Sequence, residues 1–141
     1  MRAIRRSIAT AACAALFLVW APSIASAATP VCNQSGAVAV WSPEPGETAV
    51  IPTSSYPVNS KWVCTLYEGT SGEGVRRLQN ALNRCNFQNI AVDGNFGPAT
   101  KSALIDAQRA RGATVDGNYG SNSRVNLYWP TTLGLCKLVR S

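Results

Sequence analysis

A hexapeptide that occurs twice constrains this chain more than any other feature. Val92-Asp-Gly-Asn-Phe-Gly97 returns as Val115-Asp-Gly-Asn-Tyr-Gly120, displaced by 23 residues, and the likeness continues through Thr100-Lys101 against Ser123-Arg124 and Leu104 against Leu127. Each copy carries the same folding instruction. Asp-Gly favours a tight turn with positive φ, the aromatic that comes next but one drops into a core, and the second glycine opens the next helix. Two copies, each feeding a helix, specify a compact three-helix unit, because a solenoid needs at least three repeats to bury its faces.

The helices can be read around those turns. Thr70-Ser-Gly-Glu73 has capping-box spacing, and Val75, Leu78, Ala81, Leu82 and Cys85 then recur every three or four residues as one apolar stripe. Asn86 is suited to a left-handed stop. A second helix starts at Gly97-Pro98, where proline at the first helical position loses nothing. It carries Ala99, Ala103, Leu104 and Ala107 on one side and ends with Arg109 and Arg111 before Gly112. A third, shorter helix from about Ser121 carries Val125 and Tyr128 and stops before Pro130.

Residues 1–27 read as a secretory signal peptide. Arg2, Arg5 and Arg6 make a basic start, Ile8 to Ile24 is apolar, and Ala25-Ser26-Ala27 is a small-x-small cleavage site. Removal of the leader takes those three arginines away, so the formal net charge falls from +6 to +3. With no basic run remaining, nucleic acid is not expected as a partner. No later apolar run is long enough to cross a bilayer, so the mature chain is expected to have no membrane span. Histidine is absent from all 141 residues. That removes Ser-His and Cys-His nucleophile pairs, histidine bases and nearly every catalytic zinc site.

The mature chain changes texture near residue 64. Residues 28–63 hold Pro30, Pro43, Pro45, Pro52 and Pro57 and show no helical period. Ala37-Val-Ala-Val-Trp41 and Thr48-Ala-Val-Ile51 flank a Ser42-Pro-Glu-Pro-Gly46 turn cluster, which reads as a short irregular hairpin. Too small to bury much surface alone, this extension is expected to dock on the helical segment C-terminal to it. The expected organisation is a leader at 1–27, a proline-rich extension at 28–63, a helical domain at 64–130 and a tail at 131–141. The fold class is mainly α: a three-helix unit with a short irregular or hairpin extension, stapled by disulfides.

Besides Cys13 of the leader, the cysteines are Cys32, Cys64, Cys85 and Cys136, an even set in a small exported chain. They show no Cys-x-x-Cys pairing, and no metal site is expected. Reach favours Cys64 with Cys85, if residues 64–69 double back beside a first helix about 18 Å long at 1.5 Å per residue. Cys32 would then pair with Cys136. The alternative, Cys32–Cys64 with Cys85–Cys136, stays open.

At this point the residues carry a family. Leu78-Gln79-x-x-Leu82, Val92-Asp-Gly-Asn-Phe-Gly-Pro-Ala-Thr100, Ala107-Gln108 and Val115-Asp-Gly-Asn-Tyr-Gly120 resemble the bacterial peptidoglycan-binding domain, a small three-helix module appended to many cell-wall hydrolases. The resemblance covers about residues 66–129. It implies a non-catalytic, secreted or wall-associated protein that holds the stem peptide or glycan of peptidoglycan and needs no cofactor. The usual catalytic domain has no counterpart in this chain, which implies a stand-alone binder or one that acts beside a separate cell-wall hydrolase.

The candidate site residues come from the turns and their neighbours. Asp93 and Asp116, with their glycines and with Phe96 and Tyr119, are read first as turn and core residues and second as ligand contacts. Asn95 and Asn118 occupy matching loop positions and carry amides that both donate and accept. Gln79 lies on the first helix near the apolar stripe, where an ordinary surface glutamine is the plainer reading. Arg77, Lys101 and Arg124 are candidates for stem-peptide carboxylates or anionic wall polymers, against a solvated face. Trp41, Trp62, Tyr67 and Trp129 offer stacking planes for sugar rings, although Trp62 is better placed in a core and Trp129 stays open. Two rivals remain: a secreted interaction or inhibitor protein that uses residues 28–63, and a glycosidase built from two of the seven carboxylates. Caps and turns account for most of those carboxylates, and no catalytic residue is expected.

Overall fold

The alternating apolar residues on either side of the proline turn pair as their period of two requires. In the computed structural model, which describes residues 28–41, 43–55 and 62–140, strand β1 (Gln34–Ala39) runs antiparallel to β2 (Thr48–Thr53). Gly36 lies opposite Ile51 and Val38 opposite Ala49. Ala49 and Ile51, two residues apart, are fully buried. The hairpin is regular through all six pairs, so it is better ordered than the proline content implied. The expected leader at 1–27 lies outside the described residues.

Helix α1 (Glu73–Cys85) buries Val75, Leu78, Ala81 and Leu82, the stripe its spacing predicts. Its ends differ from expectation. No capping box forms: Gly72 is the N-cap and no side chain caps the helix. Thr70 is drawn into the preceding turn, where its hydroxyl donates to the Tyr67 carbonyl at 2.7 Å and accepts from the Tyr67 amide. Glu73 pairs with Arg77 one turn later. At the other end Asn86 has φ −125°, and Phe87 takes the left-handed conformation at φ 59°. Asn86 is instead buried, and its amide nitrogen donates to the carbonyls of Ala81 and Tyr128.

Helix α2 (Pro98–Ala110) starts at the proline, and α3 (Ser121–Asn126) is a short six-residue helix that stops before Leu127, short of Tyr128. The chain closes with a two-residue pair, β3 (Trp129–Pro130) against β4 (Cys136–Lys137). The tail also bridges the hairpin, Thr131 to Ala49 and Val139 to Val40. One core therefore joins Val40, Ala49 and Ile51 of the hairpin to Leu66, the α1 stripe, Phe96, Leu104, Tyr119, Leu127, Trp129 and Val139. Helices α1 and α2 and the small antiparallel hairpin share it, and Leu127 enters it just past α3. Trp129 is fully buried and meets Tyr119 edge to face at 5.8 Å, while Trp62 is partly buried against the core.

The disulfides are Cys32–Cys64 and Cys85–Cys136, which overturns the pairing favoured by reach. Residues 64–69 do not double back along α1. Thr65 bridges Val31 and Leu66 bridges Tyr119, so Cys64 stays near the start of α1 while Cys85 ends it. The same helix length of about 18 Å that motivated the first pairing separates these two cysteines. Cys32 packs at the first turn of α1, where a Cβ on Gly74 would stand 2.0 Å from its carbonyl oxygen. The glycine is what lets the N-terminal segment lie on the helix.

Candidate functional site

The two Asp-Gly loops are built on buried glutamines. Gln79, 1% exposed on α1, accepts the Gly94 amide at 2.8 Å. Its amide nitrogen faces Asp93 Oδ1 (2.9 Å), the Asn95 carbonyl (3.0 Å) and Thr100 Oγ1 (3.1 Å). Gln108 on α2, fully buried, repeats the set. It accepts the Gly117 amide at 2.9 Å, and its nitrogen faces Asp116 Oδ1 (2.9 Å), the Asn118 carbonyl (2.9 Å) and Ser123 Oγ (3.0 Å). In each loop the same aspartate oxygen also accepts the amide two residues on, from Asn95 or Asn118. Gly94 and Gly117 turn at φ 79° and 68°. The repeat is thus a hydrogen-bonded device as well as a sequence.

Residues 66–72 fasten the loops together. Leu66 exchanges both backbone bonds with Tyr119, Gly69 donates to the Phe96 carbonyl, Phe96 donates to Thr70, and Gly72 donates to Gly94. One edge of the molecule therefore presents both loops with this connector between them. Phe96 and Tyr119 point inward, each 1% exposed. Burial pushes the Tyr119 phenol well above its usual range, so it stays neutral. Asn95 and Asn118 are exposed, as are Tyr67, Glu68 and Ser71 of the connector.

The charges at this edge are modest. Lys101 reaches Glu68 at 3.0 Å, an exposed pair worth less than about 1 kcal/mol. The Asp93 carboxyl is held below the ordinary 3.8, first by the Asn95 amide and then by the Gln79 side chain. No group of three or more His, Cys, Asp or Glu that would hold a metal lies among the described residues, and no helix among them is long and apolar enough to cross a membrane.

Of the residues singled out in the sequence, Gln79, Asp93, Asn95, Asp116, Asn118 and Lys101 lie on or under this edge. Gln79 is beneath the surface rather than on it, and each aspartate turns one oxygen inward. Arg124 is apart: its guanidinium donates to the Arg140 carbonyl in the tail. Two participants were missed as site residues. Gln108 was quoted in the motif but not set beside Gln79, because it precedes its aspartate by 8 positions and Gln79 by 14, which a uniform shift of 23 conceals. Arg76 packs over the first loop, 3.2 Å from where a Gly94 Cβ would stand. Its signal was its place one turn before Gln79.

Comparison with known proteins bears on the same segment. Residues 71–124 match the family described as putative peptidoglycan binding domain. The zinc D-Ala-D-Ala carboxypeptidase of Streptomyces albus G is 42% identical over 69 residues, 48% of this chain and 27% of that one. The N-acetylmuramoyl-L-alanine amidase CwlL of Bacillus licheniformis is 34% identical over 80 residues, 52% of this chain and 22% of that one. The chain thus spans about a quarter of the length of the curated relatives it matches. Among solved structures, the SleB N-terminal domain aligns with TM-score 0.40 at 39% identity, covering 42% of this chain and 81% of that chain. A peptidoglycan-binding protein from Clostridioides difficile, in complex with glutamine hydroxamate, aligns with TM-score 0.42 at 22% identity over 54% and 55%. Over residues 71–124 this chain is thus similar to the family described as putative peptidoglycan binding domain.

Proposed function

We propose that this is a secreted, non-catalytic protein that binds peptidoglycan of the bacterial cell wall through the shallow polar edge formed by the two Asp-Gly loops and their connector. The observation that carries the reading is the family match over 71–124, which spans both loops and the helices that lock them. The exposed amides of Asn95 and Asn118 can donate to and accept from stem-peptide or acetamido groups, with Tyr67 as an adjacent aromatic face and Lys101 as a cation. Gln79, Asp93 and Asp116 act by holding the loops, and Arg124 supports the tail. The disulfides and the leader-like start favour export. Two relatives are named as a carboxypeptidase and an amidase, but the aligned stretch is a minor part of each, so a separate hydrolase is the partner we propose.

The test is co-sedimentation of the oxidised protein with sacculi stripped of teichoic acid. Binding retained at about 1 M salt, where the Debye length falls to roughly 3 Å, is the expected result. Weakening by Asn95→Ala with Asn118→Ala, in a protein of unchanged Tm, locates the contact at the loops. A protein that stays in the supernatant overturns the reading. An interaction role for the hairpin is separable through the exposed Trp41. Trp41→Ala leaves sacculus binding intact under our reading.

A further inference from the structure

A second concave site lies away from the loops, on the outer face of α1. Its volume is about 220 Å³, and it is walled by α1 on one side and by the hairpin and tail on the other. Arg77, Asn80 and Arg84 line it from α1 at positions i, i+3 and i+7, hence on one face of the helix. Thr131 and Thr132 line it from the tail, and Val50 and Pro130 supply the apolar part. No acid is among these lining residues.

The free hydrogen-bonding capacity of this cleft is almost all donor. Neither the Arg84 guanidinium nor the Asn80 amide has a side-chain partner among the described residues. Arg77 Nε lies 2.7 Å from Glu73 as an ion pair without hydrogen-bond alignment, and its two terminal nitrogens point to no other acid among the described residues. Thr132 Oγ1 accepts the Thr48 amide at 3.2 Å, so its hydroxyl hydrogen remains to give. The nearby carboxylate, Glu47, is buried; its Oε2 pairs with Lys137 at 2.6 Å and accepts the Glu44 amide, while its Oε1 has no hydrogen-bond partner among the described residues. The backbones of Arg77 and Arg84 stand about 10.5 Å apart along the helix axis, and long flexible arms with an amide between them let two guanidiniums converge on one small anion. The volume is below the roughly 300 Å³ at which drug-sized ligands begin, so it admits a single group and not a chain of sugars.

We propose that this cleft is an oxyanion site that takes one carboxylate or phosphate group. It depends on the hairpin and on the tail held by Cys85–Cys136, both outside the family-matched segment. It is thus a property of this chain's own elaboration and does not rest on the peptidoglycan reading.

The experiment is a titration of the oxidised protein by 1H–15N correlation NMR, with inorganic phosphate in one arm and acetate in the other, at constant ionic strength set by chloride. Saturable shifts confined to Arg77, Asn80, Arg84 and Thr132 are expected in at least one arm, and the arm that saturates names the source chemistry. Arg84 is exposed, so Arg84→Gln leaves the rest of the spectrum in place and weakens the saturating anion at least tenfold. Arg84→Lys, which keeps the charge and loses the fork, binds between the two. Linear, dispersed shifts in both arms overturn the proposal, as does an Arg84→Gln protein that binds like its parent.

Discussion

Gln79 and Gln108 are the residues on which both loops depend. Each satisfies a glycine amide, an aspartate oxygen, a loop carbonyl and a hydroxyl at the base of its loop. Truncation of either to alanine strands several of these groups, and each buried unsatisfied group costs about 1–3 kcal/mol. Gln79→Ala and Gln108→Ala should each lower stability by at least that much in urea titrations with an unchanged m-value. Replacement of one glutamine by glutamate should do no better at pH 7, since a carboxylate cannot donate to Asp93 or Asp116. The motif made these glutamines visible, but not their burial. Only the position of α1 and α2 over the loops turns an ordinary helix residue into a clamp.

Among the elements, the N-terminal segment and α1 meet at Gly74. A Cβ there would lie 2.0 Å from the Cys32 carbonyl, a backbone atom that cannot rotate away. Gly74→Ala should therefore destabilise by about 1–3 kcal/mol despite alanine's better helix propensity, a sign reversal that thermal melts will read directly. The cystine pattern is checkable in the same protein: non-reducing peptide mapping should yield Cys32–Cys64 and Cys85–Cys136. Loss of the second bridge, with its 51-residue separation, should cost about 4 kcal/mol at 25 °C on loop entropy. The apolar stripes of α1 and α2 and the pairing strands were legible because they obey local periods. The helix ends were not. Thr70 and Asn86 each had more than one option: a competing local turn bond to Tyr67 took the first, and a tertiary bond to Tyr128 took the second.

For the whole molecule, the acid limit of stability should be set by carboxylates held ionised in the fold. Asp93 lies below the ordinary 3.8, through the Asn95 amide and Gln79. Glu47 lies below the ordinary 4.5, chiefly through Lys137 and then the Glu44 amide. Both are depressed, so the unfolded chain binds more protons as the pH falls. Their contribution is complete above about pH 5 and is lost as the pH drops through the folded values. Tm should be flat from pH 7 to about pH 5.5 and then decline. Lys137→Met should narrow the gap between Tm at neutral pH and Tm in acid, because it removes the largest cause of the Glu47 shift. A parallel decline in parent and variant would show that Glu47 plays no part.

The sequence, read alone, was enough to place three helices and two inward aromatics and to carry the resemblance to the peptidoglycan-binding domain, because the turn chemistry of Asp-Gly and the spacing of apolar residues act over only a few positions. Cystine pairing, the burial of the glutamines, the sharing of one core by hairpin and helices, and the arginine-lined cleft were decided by tertiary structure. Each depends on which of several distant segments comes to lie against α1. Local preference cannot express that choice; the collective burial of Ile51, Leu66, Leu82 and Trp129 makes it.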